Sequence, residues 1–328
     1  MKRVFSGIQP SGNLTLGNYI GALRQFVTLQ HEAEGYFCVV DLHALTLPQD
    51  PEILRGKTME VAGLLLAAGL EPSRVTLFAQ SHVPAHAELC WLLNGVTYTG
   101  ELSRMTQYKD KAKGRKAITA GLLNYPILMA ADILLYQADL VPIGDDQKQH
   151  LELARDIAIR FNNRFGPTFV VPDPMIPEVG ARIMALDDPA KKMSKSDEIP
   201  ESYVALLDPP DVVVAKLGRA VTDSGREVRF DPAAKPGVSN LLTIYAICRG
   251  KSLTQAEADF SGAGYAVFKK GVAEAVNEVL RPVQTRYRDL MNSGALRDIL
   301  AGGAGRAAEV ATTTLRAVKE KMGLLPPA

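Results

Sequence analysis

The sequence has no excess of either charge, because 37 Lys and Arg residues are set against 36 Asp and Glu residues in 328 positions. The formal net charge of +1 gives the chain as a whole no attraction for polyanions. Any nucleic acid must therefore be held by local basic patches. With 47% apolar residues the chain can form a large core, which excludes a disordered protein and indicates one large domain or two.

Cysteine is scarce as well. Cys38, Cys90 and Cys248 are far apart, and none belongs to a Cys-x-x-Cys pair. Neither a disulfide framework nor a cysteine zinc site is indicated, and a reducing compartment fits best. The first ten residues lack the apolar stretch of a secretory signal, so we expect a cytoplasmic protein.

One stretch, residues 118–135, is apolar enough to be considered as a membrane span. It contains Asn124, Pro126 and Asp132, however, and a carboxylate near a bilayer centre costs roughly 2.5–3.5 kcal/mol. No second comparable stretch exists. The sequence therefore predicts no membrane association.

The first half alternates short apolar runs with longer helical patterns, which is typical of βα units on an open parallel sheet. Strands are predicted near residues 4–5, 36–40, 74–79 and 140–143. Beyond residue 186 helical patterns take over, at 240–248, 253–260, 265–290, 295–300 and 305–321. We predict an α/β domain over residues 1–186 and a mainly helical domain over residues 187–328.

Two segments carry candidate chemistry. Residues 6–18, rich in glycine and hydroxyl groups, lie between the first strand and its helix, where an α/β sheet faces its ligand crevice. They match neither a dinucleotide fingerprint nor a P-loop, and they are either a nucleotide-binding loop or a simple connection. Residues 191–196 contain three lysines and two serines, which suit either a triphosphate site or a solvated basic linker.

The second segment is more specific. Residues 192–196 read Lys-Met-Ser-Lys-Ser, which reproduces letter for letter a motif of class I aminoacyl-tRNA synthetases. Residues 15–18, Thr-Leu-Gly-Asn, stand where that class carries its His-x-Gly-His motif. Thr15 and Asn18 replace the two histidines, as in tryptophan enzymes that the chain resembles. They can still form neutral hydrogen bonds to phosphate, but no role that needs a protonated imidazole is available to them.

Further matches select a branch of the class. The chain strongly resembles the bacterial tryptophanyl-tRNA synthetases, from about Val4 to the last helix. The matching segments are residues 5–12, 17–21, 129–136, 144–150 and 234–237.

This resemblance implies a Rossmann-like catalytic domain and a helical domain that binds the tRNA anticodon. It implies activation of L-tryptophan with ATP and Mg²⁺, transfer to tRNA(Trp), and a homodimer. Mg²⁺ would be held mainly by the ATP phosphates, without a protein metal site. Arg281, Arg286 and Arg288 are candidates for anticodon contacts, although each is equally compatible with a solvated helix surface.

The resemblance also implies roles for individual residues. The expected catalytic residues are Thr15, Asn18, Lys111, Lys192, Ser194 and Lys195. The expected ATP-binding residues are Gln9, Pro10, Ser11, Gly17, Asn18, Gly144, Asp145, Asp146, Ile183, Lys192, Met193, Ser194, Lys195 and Ser196. The expected tryptophan-binding residues are Phe5, His43, Tyr125, Met129, Asp132, Val141, Ile143 and Gln147. Asp145 and Asp146 have the alternative role of capping the helix that follows them.

Asp132 is the most informative single acid. In a helix over residues 127–136 its neighbours are Leu128, Met129, Leu135 and Tyr136, so the carboxylate lies on an apolar face. A nearby backbone group or tyrosine hydroxyl could satisfy it. Alternatively it accepts a hydrogen bond from the indole N–H, which can only donate. The resemblance favours the second interpretation.

His82 and His86 have a spacing that can bind zinc, and Glu88 is close by, but Pro84 lies between them and no third His or Cys is near. We interpret them as ordinary surface or capping histidines, and His150 as a support for the helix after Gln147.

Three functions remain to be separated: a tryptophan–tRNA ligase, a noncatalytic paralogue that binds tRNA or tryptophan, and a related enzyme for tyrosine. The lysines of the basic motif count against the paralogue.

Overall fold

The computed structural model describes residues 1–114, 117–144, 147–175, 182–194 and 199–326. In these ranges five parallel strands form one sheet in the order β3-β2-β1-β4-β5. The strands are β1 (Arg3–Ile8), β2 (Glu34–Val39), β3 (Val75–Ala79), β4 (Leu140–Pro142) and β5 (Asp173–Met175). The predicted α/β class is confirmed. Strand β5 was not predicted, because it has only three residues and includes a proline.

Helices cover both faces of this sheet and form most of the second half. In the first half they are α1 (Leu16–Asn18), α2 (Arg24–Leu29), α3 (Asp41–Ala44), α4 (Pro51–Ala67), α5 (Ala85–Asn94), α6 (Thr99–Arg104), α7 (Thr106–Ala112), α8 (Ala120–Leu135) and α9 (Lys148–Phe165). A π-helical segment, Tyr19–Leu23, joins α1 to α2, and a 3₁₀ turn, Gln80–His82, follows β3. In the second half, after the 3₁₀ turn Pro200–Ser202, they are α10 (Pro210–Arg219), α11 (Pro236–Arg249), α12 (Leu253–Asp259), α13 (Tyr265–Ser293) and α14 (Ala295–Lys321).

The central strand shows why the sheet is buried on both faces. Along β1, Val4 belongs to one apolar cluster with Phe37 and Leu77, whereas Phe5 belongs to a second cluster with Tyr36. Successive residues of a strand point to opposite faces, so the two clusters lie on the two sides of the sheet. Near-continuous apolar strands are typical of such covered parallel sheets.

The final helix differs from the prediction. We expected two helices with a break before Gly305, but α14 runs unbroken through Gly302, Gly303 and Gly305. The helix packs against β3, and a Cβ atom at Gly303 would lie 1.8 Å from the carbonyl oxygen of Leu77. The glycines therefore permit a close approach of helix and strand, and packing compensates for their low helix propensity.

Because α14 contacts β3, the end of the chain returns to the sheet formed by its first half. Arg306 strengthens this contact by donating hydrogen bonds to the carbonyl oxygens of Pro72 and Val75, both at 3.2 Å. The domain boundary after residue 186 stays a prediction. In the described residues no helix is both long and apolar enough to cross a membrane.

Replacing Gly303 with Ala should lower the free energy of unfolding by at least about 1–3 kcal/mol, because the new methyl group meets backbone that cannot turn away. Gly305 provides the control, since it lies in the same helix, is exposed, and has no atom within 4 Å of an added Cβ. Gly305→Ala should raise stability by about 0.5–1 kcal/mol. Chemical denaturation of both variants measures the difference, and equal stabilities would contradict the close helix–strand contact.

Candidate active site

A cavity of about 390 Å³ opens at the carboxyl ends of β1 and β4, the edge at which open α/β sheets bind ligands. The π-helical segment contributes Ala22 and Leu23 to its wall. All the residues expected to bind tryptophan line this one cavity: Phe5, His43, Tyr125, Met129, Asp132, Val141, Ile143 and Gln147. Gln9, Asn18 and Lys111, expected at the nucleotide end, line it too.

Asp132 is the buried charge at the floor of the cavity. Its Oδ1 accepts a hydrogen bond from Gln80 Nε2 at 2.6 Å and lies 2.6 Å from His86 Nδ1. Its Oδ2 lies 2.7 Å from His43 Nε2. These partners are side chains from the loop and helices after β2 and β3, and not the backbone group or tyrosine hydroxyl considered as the alternative.

The pKa of Asp132 reports this environment. Burial acts to raise it, but the charge and hydrogen bonds of His43 and His86 outweigh burial and bring the pKa down to about 2. The carboxylate is therefore ionised at neutral pH and can only accept hydrogen bonds. Within the described part of the chain Oδ2 has one hydrogen-bond partner, His43, so it can accept another hydrogen bond from a ligand in the cavity.

The interpretation of His86 as a surface or capping residue was wrong. His86 has no exposed area, and its Nε2 lies 2.7 Å from the hydroxyl oxygen of Tyr136. The helical spacing of His86, Leu89 and Leu93, all buried on one face of α5, was the signal that could have identified it. His82, by contrast, is exposed at the end of its 3₁₀ turn.

Thr15 and Asn18 form a capping box at the start of α1. The Thr15 hydroxyl accepts from the Asn18 backbone N–H at 3.2 Å and lies 3.1 Å from Asn18 Oδ1, which also accepts from the Thr15 N–H. Thr15 is fully buried, so these bonds occupy its hydroxyl. The Asn18 side-chain N–H₂ group is not used in the box, and Asn18 lines the cavity.

The lysine-rich segment returns to this helix start through a short antiparallel turn. The Met193 N–H donates to the Ile183 carbonyl at 3.0 Å, and the Ala185 N–H donates to the Lys191 carbonyl at 2.8 Å. Met193 is buried, and its Cβ lies 3.5 Å from the position that a Cβ at Gly17 would occupy. The structure thus brings Gly17, Ile183 and Met193 together, with Lys192 exposed beside them.

Several other expected residues have defined positions. Lys111, on α7, is half-buried, and its Nζ lies 5.3 Å from the centre of the Tyr125 ring. Burial lowers the pKa of Lys111 below that of an ordinary lysine. The Tyr125 hydroxyl is 2.7 Å from Nε2 of His150, which is buried in α9, so His150 contacts the cavity wall as well as its own helix.

Near the nucleotide loop, Gln9 Nε2 donates to the His43 carbonyl at 3.3 Å, while the Ser11 N–H donates to the Gln9 carbonyl across the buried Pro10. Gly144 is exposed after β4, and Ser194 is partly buried. Four expected residues, Asp145, Asp146, Lys195 and Ser196, lie outside the described residues. The sequence analysis missed the roles of Gln80, Gln107 and Tyr136. Only the fold shows that Gln80 contacts Asp132, that Gln107 lines the cavity, and that Tyr136 contacts His86.

Comparison with known proteins agrees with this geometry. The family model of class I tRNA synthetases (W and Y) matches residues 1–281. The tryptophan–tRNA ligase of Caldanaerobacter subterraneus is 58% identical over 325 residues, covering 99% of each chain. That of Bacillus subtilis is 54% identical over 321 residues, covering 98% of this chain and 97% of the other.

Solved structures give the same result. The tryptophanyl-tRNA synthetase of Mycoplasma pneumoniae superposes with a TM-score of 0.89 at 38% identity, covering 99% of this chain and 98% of that one. The Campylobacter jejuni enzyme complexed with ADP and tryptophan gives 0.86 at 34% identity, covering 98% and 100%. The chain therefore belongs to the class I tRNA synthetases that serve tryptophan and tyrosine.

Proposed function

We propose that the chain is a tryptophan–tRNA ligase, which activates L-tryptophan with ATP and then transfers it to the 3′ end of tRNA(Trp). The observation that carries this proposal is an apolar cavity with an ionised acceptor, Asp132, at its floor. Relatives that bear this name match the chain over nearly its full length, and a neighbouring structure contains tryptophan and ADP.

In this proposal the indole ring enters the cavity between Phe5, Val141 and Ile143, and Met129 covers it from α8. The indole N–H donates to Asp132 Oδ2. His43, Tyr125 and Gln147 lie on the same cavity wall and contact the ring edge or the amino acid's polar end. An acceptor fixed among apolar walls selects a ligand with one donor and a large apolar surface.

ATP lies across the start of α1. Gly17 has no Cβ to keep the nucleoside from the backbone. The other residues proposed to contact ATP here are Gln9, Pro10, Ser11, Gly144, Ile183 and Met193, and the proposal from the sequence also includes Asp145 and Asp146, which lie outside the described residues. The Asn18 side-chain N–H₂ group donates to a phosphate oxygen, and Thr15 orients that amide through the capping box. A direct bond from Thr15 to phosphate would require the capping bonds to open.

The tryptophan carboxylate attacks the α-phosphorus of ATP, the bond to the β-phosphate oxygen breaks, and pyrophosphate leaves. The nucleophile is already ionised, so the site needs no general base for this step and acts by positioning and charge stabilisation. Lys192, Ser194, Lys195 and Ser196 neutralise or hydrogen-bond the phosphates, and Lys111 acts on the departing pyrophosphate.

Mg²⁺ would accompany ATP and neutralise phosphate charge. Among the described residues no group of three or more His, Cys, Asp or Glu side chains could hold a metal, and Lys111 and the Asn18 N–H₂ group are donors rather than metal ligands. This donor set fits a metal ion held by phosphate oxygens and water.

The helical region over residues 187–328 would bind the tRNA anticodon, with Arg281, Arg286 and Arg288 of α13 as candidate contacts. We infer a homodimer, in support of which Trp91 and Tyr98 are 76% and 62% exposed. ATP and tRNA as substrates place the reaction in the cytoplasm, where the three free cysteines would remain reduced.

The direct test is ATP–pyrophosphate exchange with each standard amino acid in turn. We expect exchange with tryptophan and little with tyrosine, because the phenol is smaller than the cavity requires and its hydroxyl is misplaced relative to Asp132. Exchange with tyrosine alone would identify the tyrosine branch of the family. No exchange with any amino acid, in protein that binds tryptophan, would identify a noncatalytic paralogue.

Asp132→Asn should lower kcat/KM for tryptophan by roughly 10- to 150-fold, the cost of losing a hydrogen bond to a charged group. Asn must turn its oxygen towards Gln80 and His86, so it presents an N–H₂ group to the indole N–H. The loss should be much smaller for the benzothienyl analogue of tryptophan, in which a sulfur atom replaces the ring N–H. Steady-state exchange kinetics with both substrates measure this, and equal losses for the two would show that Asp132 has no contact with the indole.

Lys111 generates a prediction for alkaline pH. Because burial lowers its pKa, Lys111 loses its charge at a lower pH than an ordinary lysine does. The value of kcat/KM for ATP should therefore decline as the pH rises through the pKa of Lys111. Lys111→Arg stays charged, so its decline should begin at higher pH. Lys109→Arg, an exposed position on the same helix, is the control. If an active Lys111→Arg variant loses kcat/KM for ATP at the same alkaline pH as the unaltered protein, Lys111 does not contact the phosphates.

A further inference from the structure

Behind Asp132, away from the cavity, lies a second layer of polar side chains. His86 on α5 connects the Asp132 carboxylate, at 2.6 Å from Nδ1, to the Tyr136 hydroxyl, at 2.7 Å from Nε2. His86 and Tyr136 have no exposed area. Neither lines the cavity, so neither can contact a substrate in it directly.

The hydrogens of this chain of bonds can be assigned from the chemistry of its members. Ionised Asp132 can only accept, so His86 Nδ1 carries a proton and donates it to Oδ1. Burial raises the pKa of the Tyr136 phenol, so its hydroxyl stays protonated and forms a hydrogen bond with Nε2. The imidazole is therefore held at both ring nitrogens, by Asp132 at Nδ1 and by Tyr136 at Nε2.

The Tyr136 ring is itself held in place. It stacks on Phe5 with centroids 5.5 Å apart and an angle of 5°, and on Tyr36 at 4.7 Å and 23°. Phe5 and Tyr36 belong to adjacent strands at the centre of the sheet. The hydroxyl therefore has a position determined by the core, and it transmits that position through His86 to the carboxylate.

We propose that His86, with its ring held in place by Tyr136, is a positioning residue for amino-acid specificity: it holds Asp132 Oδ1 so that Oδ2 is aimed at the ring N–H of the substrate. This inference rests on the proposed function and deepens it. Two donors, His86 and Gln80, converge on Oδ1, whereas among the described residues His43 alone contacts Oδ2. Oδ1 is therefore fixed by donors from the core, whereas Oδ2 faces the cavity and can accept a hydrogen bond from a ligand.

The other titratable groups that face Asp132 do not compete for this role. His43 approaches from α3 on the cavity side. Cys38 of β2 and Cys90 of α5 are kept as neutral thiols, since burial raises the pKa of both, that of Cys90 to about 12. Among the described residues, His43 and His86 are the two titratable donors that keep the carboxylate ionised.

Two substitutions of similar polarity separate positioning from packing. The amide nitrogen of Asn reaches the place of a histidine Nδ1, so His86→Asn retains a donor for Asp132. That of Gln reaches the place of Nε2, so His86→Gln retains a contact with Tyr136 and loses the one with Asp132. The quantity to measure is the ratio of kcat/KM for tryptophan to that for the benzothienyl analogue, in exchange assays from pH 5.5 to 8.

We expect His86→Gln to lower this ratio roughly tenfold at neutral pH, the cost of one hydrogen bond to a charged group. The ratio should not fall further towards pH 5.5, because a tenfold loss corresponds to about one pKa unit and leaves Asp132 ionised there. In the unaltered protein the ratio should stay flat over this range, since the pKa of Asp132 is about 2. His86→Asn should remain within about threefold of the unaltered protein.

Tyr136→Phe provides the variant that keeps the core intact, because the stacked ring remains and only the hydroxyl is lost. His86 Nε2 then loses its partner in the core and the imidazole is held at Nδ1 alone, so the ratio should fall by a few-fold. A ratio in Tyr136→Phe equal to that of the unaltered protein overturns the proposal. So does a folded His86→Asn as defective as His86→Gln.

The Asp132→Asn variant distinguishes failure of this inference from failure of the proposed function. If Asp132→Asn lowers the ratio and the His86 and Tyr136 variants do not, the indole contact stands and only the positioning role is wrong. If Asp132→Asn also leaves the ratio unchanged, the indole contact itself is wrong and the positioning role is wrong with it.

Discussion

A buried anion at Asp132 is the constraint around which the candidate site is organised. A carboxylate with almost no exposed area is tolerated only when donors surround it, and removing a partner from such a group typically costs about 3–5 kcal/mol. Its donors come from α3, from the 3₁₀ turn after β3, and from α5. These elements must converge on α8 for the charge to be stable, and their convergence forms the floor of the cavity.

The opposite end of the cavity depends on backbone geometry. The capping box of Thr15 and Asn18 begins α1 directly after the central strand, and Met193 packs where Gly17 leaves room. Phosphate binding at such a helix start uses unpaired N–H groups and mobile lysine charges. In the proposed function the two ends therefore have opposite character: a rigid, ionised acceptor deep in the core for the amino acid, and donors and cations nearer the surface for the nucleotide.

Much of this could be predicted, and the errors have physical causes. The strands β1 to β4 follow from their apolar runs, and the cavity residues follow from motifs that the chain shares with its family. His86 was misjudged because no local pattern shows that Asp132, 46 positions away, lies 2.6 Å from it. The single helix α14 was predicted as two, since Gly302, Gly303 and Gly305 weaken a helix whose stability comes from contact with β3.

The sequence by itself determined the class of fold, the glycine-rich loop after β1, the lysine motif and the presence of an acid on an apolar helix face, because each depends on neighbouring residues or regular spacings. Only the tertiary structure decided what satisfies that acid. Hydrogen-bond partners of a buried group come from whichever elements the sheet brings together, so Gln80, His86 and Tyr136 acquire their roles through packing. Packing also decides the position of Thr15, which lies buried within a capping box although its motif predicts a phosphate contact.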